Sequence, residues 1–416
     1  MIRFHHHLSP KPSSNFFSIY TFTLSLIFLA DATLAYIFPI LVEKEVQSQV
    51  ILGIIMSFSS VVGIMCDFFF PQFLRKFRWA SILLLGSIFS IGFTFFIHFS
   101  VYTLPIIFAL LAVSFWGIYY ELIIFSEERF MLEETKPKFY TRNWSIISSI
   151  IFFSWIVAPI LAAKLLLQNQ NNITFTILII QIITVLCASF LFFRSVKKDT
   201  KEKAHKIVRP MSLLKTIKEW KKFLPYLSGI VVIIFSIRLL ESAYWMFGAL
   251  FAETLGDVSK GEEFLILLVY TIPLALGSLF GAYLNITENK KILTYILTLI
   301  SGLLTFYGVY FSETFFQMAP ILFIANIIFA IVLGLVSSQS SDFQNKLDTS
   351  ERFFAVGLIS FSGSLAYIIG PLILGYVSEV FGYKTSFALL GLLISLFSFC
   401  LIFNYFARFK FTKNVI

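Results

Sequence analysis

Three ionisable side chains stand inside stretches of sequence that are otherwise apolar. Asp31 lies about fourteen residues into one long run, and Arg238 and Glu241 lie at similar depth in another. If such runs cross a lipid bilayer, charge at their centre is costly, and its retention points to function. Arg238 and Glu241 are three residues apart, so on a helix they share a face, and Trp245 follows Glu241 by four. An acid in a low-dielectric site without a full-time cation can hold and release a proton, whereas a guanidinium can pair an acid or clamp an anion. Trp245 suits stacking on a ligand or plain packing on a neighbouring helix. Glu121 lies nearer the end of a third run, among Trp116, Tyr119 and Tyr120. It reads either as a cavity acid or as an interfacial acid among belt aromatics.

The elements that must position these groups follow from composition. The chain has 416 residues, 58% hydrophobic and only 13% charged. Soluble domains carry about 25% charged residues. A soluble enzyme, a disordered chain and a fibrous repeat are excluded. A membrane helix needs about 20 apolar residues. Twelve candidate runs occur, at about 17–42, 47–70, 80–99, 103–126, 143–166, 173–194, 223–252, 262–284, 290–312, 318–340, 353–378 and 385–408. None alternates as a barrel strand would. The first reads as a retained helix rather than a cleaved signal. The expected class is an all-α integral membrane protein with twelve transmembrane helices.

Cys66, Cys187 and Cys400 each sit in an apolar run, which argues against disulfides and a metal cluster. No nucleotide-binding glycine loop, His-Glu-x-x-His or Gly-x-Ser-x-Gly occurs. No enzymatic activity and no cofactor are expected. His5, His6 and His7 read as a solvated terminal tract, and Asn172-Ile173-Thr174 as a sequon without meaning in a bacterial cell. The net charge of +9 suits membrane anchoring better than nucleic-acid binding.

Loop charge sets direction. Arg75, Lys76 and Arg78 follow the second run, eleven basic residues lie between Arg194 and Lys222, and Arg408, Lys410 and Lys413 end the chain. Positive loops stay inside, so both termini and segment 195–222 are expected in the cytoplasm, with the chain in the cytoplasmic (inner) membrane. That segment separates residues 1–194, with six spans, from residues 223–416, with six more. Leu213, Leu214 and Ile217 beside Lys215, Lys218, Trp220 and Lys222 suggest a helix on the inner membrane surface, or else a solvated basic tether.

The two halves repeat. Asp31 to Glu43 aligns with Glu241 to Glu253, Ala158-Pro159-Ile160-Leu161 with Gly370-Pro371-Leu372-Ile373, and Gly117 with Gly334. Each partner lies six spans later, so the copies share one orientation, as in transporters whose substrate path runs between parallel halves.

With these features the chain resembles the major facilitator superfamily over nearly its whole length. Gly63-Ile-Met-Cys-Asp67 followed by Arg75, Lys76 and Arg78 is similar to that family's segment after span 2, although Phe68-Phe69-Phe70-Pro71 intervenes. A worn copy, Gly281 to Asn285, follows span 8, and Gly370-Pro371-Leu372-Ile373-Leu374-Gly375 is the best match. The resemblance implies two parallel six-helix pseudo-repeats. It implies that spans 1 and 7 face a central cavity, where Arg238 would serve both Asp31 and Glu241, and that Asp67 latches the cytoplasmic side when the outside is open. The competing readings are a permanent ion pair between the halves and a solvated acid at Asp67. Gly63 would allow close helix approach, and Pro159 and Pro371 would bend spans 5 and 11 to shape the closing halves.

The expected function is therefore secondary active transport of a small solute by alternating access, with proton coupling. The substrate- or proton-binding candidates are Asp31, Arg238, Glu241, Trp245 and Glu121. The gating candidates are Gly63, Asp67, Arg75, Pro159, Gly370 and Pro371. The expected partners are a small-molecule solute, protons and the lipid bilayer, with no nucleic acid, and the chain is expected to act as a monomer. The alternatives are a non-transporting receptor or scaffold on a transporter fold, and a membrane-embedded lipid-modifying enzyme.

Overall fold

The structure is a computed structural model that describes residues 14–74, 77–102, 105–135, 140–167, 170–197, 213–283, 289–344 and 346–413. The histidine tract and Arg75 lie outside the described residues. Twelve helices follow in order: α1 (Ser14–Val46), α2 (Gln49–Phe73), α3 (Trp79–Tyr102), α4 (Pro105–Glu134), α5 (Tyr140–Leu166), α6 (Gln170–Lys197), α7 (Leu213–Glu253), α8 (Leu265–Tyr283), α9 (Lys290–Phe311), α10 (Phe315–Gln344), α11 (Thr349–Phe381) and α12 (Tyr383–Lys413). Among the described residues there is no strand. Among the described residues eleven helices are long and apolar enough to cross a membrane, and α8 carries a shorter apolar stretch, Leu265–Gly277. The chain is a multi-pass integral membrane protein. Helices are the expected solution, because backbone polar groups in hydrocarbon must be satisfied within the segment.

The pairings reveal the symmetry. In the first half α1 packs on α5 and α6, α3 on α4 and α6, and α2 on α4. In the second half α7 packs on α11 and α12, α9 on α10 and α12, and α8 on α10. Each is the first-half pairing moved on by six helices. Between the halves α2 meets α11, α5 meets α8 and α1 meets α7. The same shift exchanges the first two seams and maps the third onto itself, as a two-fold relation between parallel halves requires.

Lipid tails are as apolar as the side chains they touch, so packing and polar contacts between helices must hold the bundle. Gln181 Nε2 donates to the Ser90 carbonyl at 2.9 Å, tying α6 to α3. Asn326 Nδ2 donates to the Val269 carbonyl at 3.0 Å and to Tyr244 OH at 3.3 Å, tying α10 to α8 and α7. The described part of the central segment behaves differently from either reading of it. From Leu213 onward it is continuous with α7, and Trp220 packs on Phe361 of α11 with ring centres 5.0 Å apart. The aromatic ring binds a neighbouring helix instead of lying on a membrane surface.

One end of the interface between the halves is tightly sealed. A Cβ on Gly53 would stand 2.2 Å from the Pro371 carbonyl oxygen, and one on Gly375 would stand 2.4 Å from the Gln49 carbonyl oxygen. Backbones meet there almost without side chains between them. The Ser57 hydroxyl donates across the seam to the Ile368 carbonyl at 2.7 Å. The seal uses the N-terminal half of α2 and the C-terminal half of α11. By the loop charges above, this is the end opposite the basic loops. Both α5 and α11 run unbroken through Pro159 and Pro371.

Candidate functional site

A cavity of about 410 Å³ lies between the halves. Asp31 of α1, Glu121 of α4, and Arg238, Glu241 and Trp245 of α7 all line it, as do Gly63 and Asp67 of α2. Five residues chosen for binding and two chosen for gating thus meet in one space. Pro159, Gly370 and Pro371 do not line it. Gly370 lies against α7, where a Cβ would stand 2.4 Å from Ser242 Oγ, and Pro371 lies in the sealed seam.

The charges are arranged differently from a single cation serving two acids. Arg238 Nη1 pairs with Glu241 Oε2 at 2.5 Å, one turn along the same helix. The Glu241 side chain is 6% exposed and that of Arg238 is 42% exposed, so the pair presents its cationic member to the cavity. No ion pair joins Arg238 to Asp31. Two neutral donors of α4 serve Asp31 instead: Trp116 Nε1 at 2.9 Å and the Tyr119 hydroxyl, both to Oδ1. Asp31 is buried, at 8% exposure. Burial without a cation leaves a carboxyl that either takes a proton or waits for a positive ligand.

The α4 face explains what the sequence reading missed. Trp116, Tyr120, Glu121, Ile124 and Glu128 line the cavity at helical spacing. Trp116 and Tyr119 are therefore not belt residues, because one bonds Asp31 from the cavity wall and the other from behind it. The stripe of polar and aromatic residues every third or fourth position was the available signal. Trp116 is steadied by stacking on Phe93, with ring centres 5.1 Å apart. The second missed feature is a roof between the halves. Trp155 of α5 meets Trp245 of α7 edge to face, with ring centres 5.7 Å apart, and both line the cavity.

At the other end of the cavity the carboxyls of Asp67 and Glu121 are neighbours. Two carboxylates only accept, so a direct hydrogen bond between them requires one shared proton. Gly63 makes room for Glu121, because a Cβ there would stand 3.2 Å from Glu121 Oε1. Glu128, exposed on the next turns of α4, extends the acidic wall toward the end where α2 and α4 finish.

Known structures carry the same architecture. A bacterial homolog of the human lysosomal transporter Spinster, in an inward-facing and unoccupied conformation, matches with a TM-score of 0.71 at 14% identity, over 95% of this chain and 98% of that one. The nucleoside transporter NupG matches at 0.70 and 15% identity, over 95% and 99%. A POT family transporter in complex with 5-aminolevulinic acid matches at 0.73 and 10% identity, over 94% and 97%. No protein-family model and no curated protein matches the sequence. Twelve helices in two parallel halves, superposing end to end on these transporters, give the chain the major facilitator fold.

Proposed function

We propose that the protein is a secondary transporter that moves a small solute across the cytoplasmic membrane by alternating access, with protons as the coupling ion. The observation that carries this reading is the polarity of the interface. The halves are sealed backbone to backbone around Gly53, Pro371 and Gly375, and a charged cavity reaches from the Trp155–Trp245 roof toward the opposite end. A receptor or scaffold has no need for uncompensated charge between its halves. With the basic loops in the cytoplasm the cavity end is the cytoplasmic one and this state is cytoplasm-open, a reading supported by the likeness to the inward-facing Spinster homolog.

In this reading Asp31 is the principal proton seat. Glu241 is held by Arg238 in the cytoplasm-open state and becomes available only if that pair rearranges. Trp245 and Trp155 close over the solute from outside. Gly370 and Pro371 shape the outer seam with α7 and α2, and Pro159 takes the matched place on α5. Asp67 exchanges partners: it shares a proton with Glu121 now, and with Gly63 and Arg75 it would take part in the cytoplasmic latch when that end closes. The chain acts as a monomer in the bilayer.

The test is uptake and counterflow in proteoliposomes, with a solute panel and with or without an imposed pH gradient. Solute accumulation that follows the gradient supports the proposal. Solute-independent vesicles across a broad panel, with the protein folded, would reduce it to a transporter fold put to another use.

A further inference from the structure

The lining of the cavity has a chemical bias that narrows the solute. We propose that it takes an organic cation with a bulky aromatic or apolar body, seated with its positive charge toward Asp31. The inference rests on the reading of this cavity as the solute site, and it goes further by naming the class.

Charge comes first. Among the described residues the charged side chains of the wall are five acids, Asp31, Asp67, Glu121, Glu128 and Glu241, and one base, Arg238. Arg238 is already spent on Glu241 at 2.5 Å. None of the other four acids has a cation within ion-pair distance among the described residues. Even with one proton shared between Asp67 and Glu121, the wall is left formally negative, and low-dielectric walls focus that field into the space between them. An anion entering from the Glu128 end would pass this acidic wall before it reached Arg238, whose charge Glu241 already offsets. A cation meets the acidic wall of Glu128, Asp67 and Glu121, and at Asp31 it finds a carboxylate bonded by the neutral donors Trp116 and Tyr119.

Shape and surface come second. Trp116, Trp155, Trp245, Tyr120 and Tyr367 present aromatic surface to the same space. Aromatic faces attract cations through the ring quadrupole and also bury apolar bodies. A sugar-like polyol would find few neutral hydrogen-bonding side chains here, mainly Ser59, Ser60, Ser360 and Ser364. The combination of uncompensated carboxyls with tryptophan walls fits a lipophilic cation better than an anion or a neutral polyol.

Two ions of nearly equal shape and opposite charge provide the test. Equilibrium binding of tetraphenylphosphonium and of tetraphenylborate is measured on the purified full chain in detergent, after subtraction of protein-free micelles. The phosphonium should bind saturably and at least about tenfold tighter than the borate. Asp31→Asn should weaken it by about tenfold, Glu121→Gln by less, and Glu45→Gln at the far end not at all. Thermal unfolding of each variant identifies any that failed to fold, and Glu121→Gln stands in if Asp31→Asn does. Equal or tighter binding of the borate, no saturable binding of the phosphonium, or phosphonium binding indifferent to both acid variants overturns the assignment. Vesicles that accumulate a neutral or anionic solute while the phosphonium fails to bind would leave the transport reading standing without this one. Phosphonium binding as described, without movement of any solute, would do the reverse.

Discussion

The carboxylate of Glu379, near the C-terminal end of α11, caps α2 in the other half of the molecule: it accepts the Ser48 hydroxyl at 2.7 Å and the Val50 backbone N–H at 2.9 Å. Ser48 is itself the N-cap of α2, with its side chain accepting from the Ile51 backbone N–H at 3.3 Å. A helix N-terminus with its unpaired N–H groups and positive dipole end is thus neutralised from across the seam. This contact exists only while that end is shut. Glu379→Ala should weaken the sealed state, shifting the balance of conformers toward opening there. Distances between spin labels placed on the ends of α2 and α11 would read the shift, and an unchanged distribution would show that the cap is not part of the seal.

The Gly53 seam admits a stronger perturbation. With the Pro371 carbonyl 2.2 Å from where a Cβ would stand, Gly53→Val cannot close as seen here. The expected result is a folded protein arrested open at that end, with solute exchange lost and a cysteine introduced at position 57 reactive to reagents added from that side. Normal transport by Gly53→Val would mean that the seam has slack the packing does not show.

Proton coupling should depend on Asp31. Asp31→Asn keeps an acceptor for Trp116 and Tyr119 but cannot ionise. Gradient-driven accumulation should be abolished while solute exchange persists in part. If Asp31→Asn and Glu241→Gln both accumulate solute normally under a pH gradient, neither acid carries the proton.

Arg238→Ala should cost stability as well as function, because it leaves the buried Glu241 without its cation. Breaking an enclosed pair costs about 3–5 kcal/mol. Here about 2 kcal/mol is expected, since the Arg238 side chain is 42% exposed to the cavity. Adding Glu241→Gln should restore most of the loss in thermal unfolding in detergent, because the stranded charge goes with it. An additive double variant would contradict the pairing.

A surface loop gives a pH-dependent prediction. Asp257, between α7 and α8, accepts the Phe315 and Phe316 backbone N–H groups at 2.8 and 3.1 Å and so caps α10. Slight desolvation pushes its carboxyl up, but these hydrogen bonds outweigh it and hold the group below the usual carboxylate range. A lowered folded value contributes stability above the unfolded value of about 3.9, and that contribution is lost as pH falls through the folded value. Asp257→Asn should therefore lower the unfolding temperature slightly at pH 7 and make no difference near pH 2.

Much of this was legible in the chain. Apolar runs of membrane length fix helices because nothing else satisfies a backbone in lipid, and the Asp31–Glu43 and Glu241–Glu253 repeat located both acids on matched helices. The pairing of the charges was not legible. Spacing predicts that Arg238 and Glu241 share a face, but whether the guanidinium also reaches Asp31 depends on how far apart α1 and α7 stand. Trp116 and Tyr119 took the place given to Arg238 because α4 turns that face inward; the polar and aromatic stripe marks the face, but not which helix it meets. Nor did the polar composition around residues 213–222 reveal that α7 extends through it. That extension depends on Trp220 finding Phe361 on another helix.

The Trp155–Trp245 roof means that the protein carries its own optical reporter. Two indoles held edge to face at 5.7 Å couple their transition dipoles, and each belongs to a different half. Any opening of the outer end separates them, so the near-ultraviolet circular dichroism of the unlabelled protein should track the conformational cycle. Trp155→Phe, which keeps an aromatic wall, would erase that signal and identify its source.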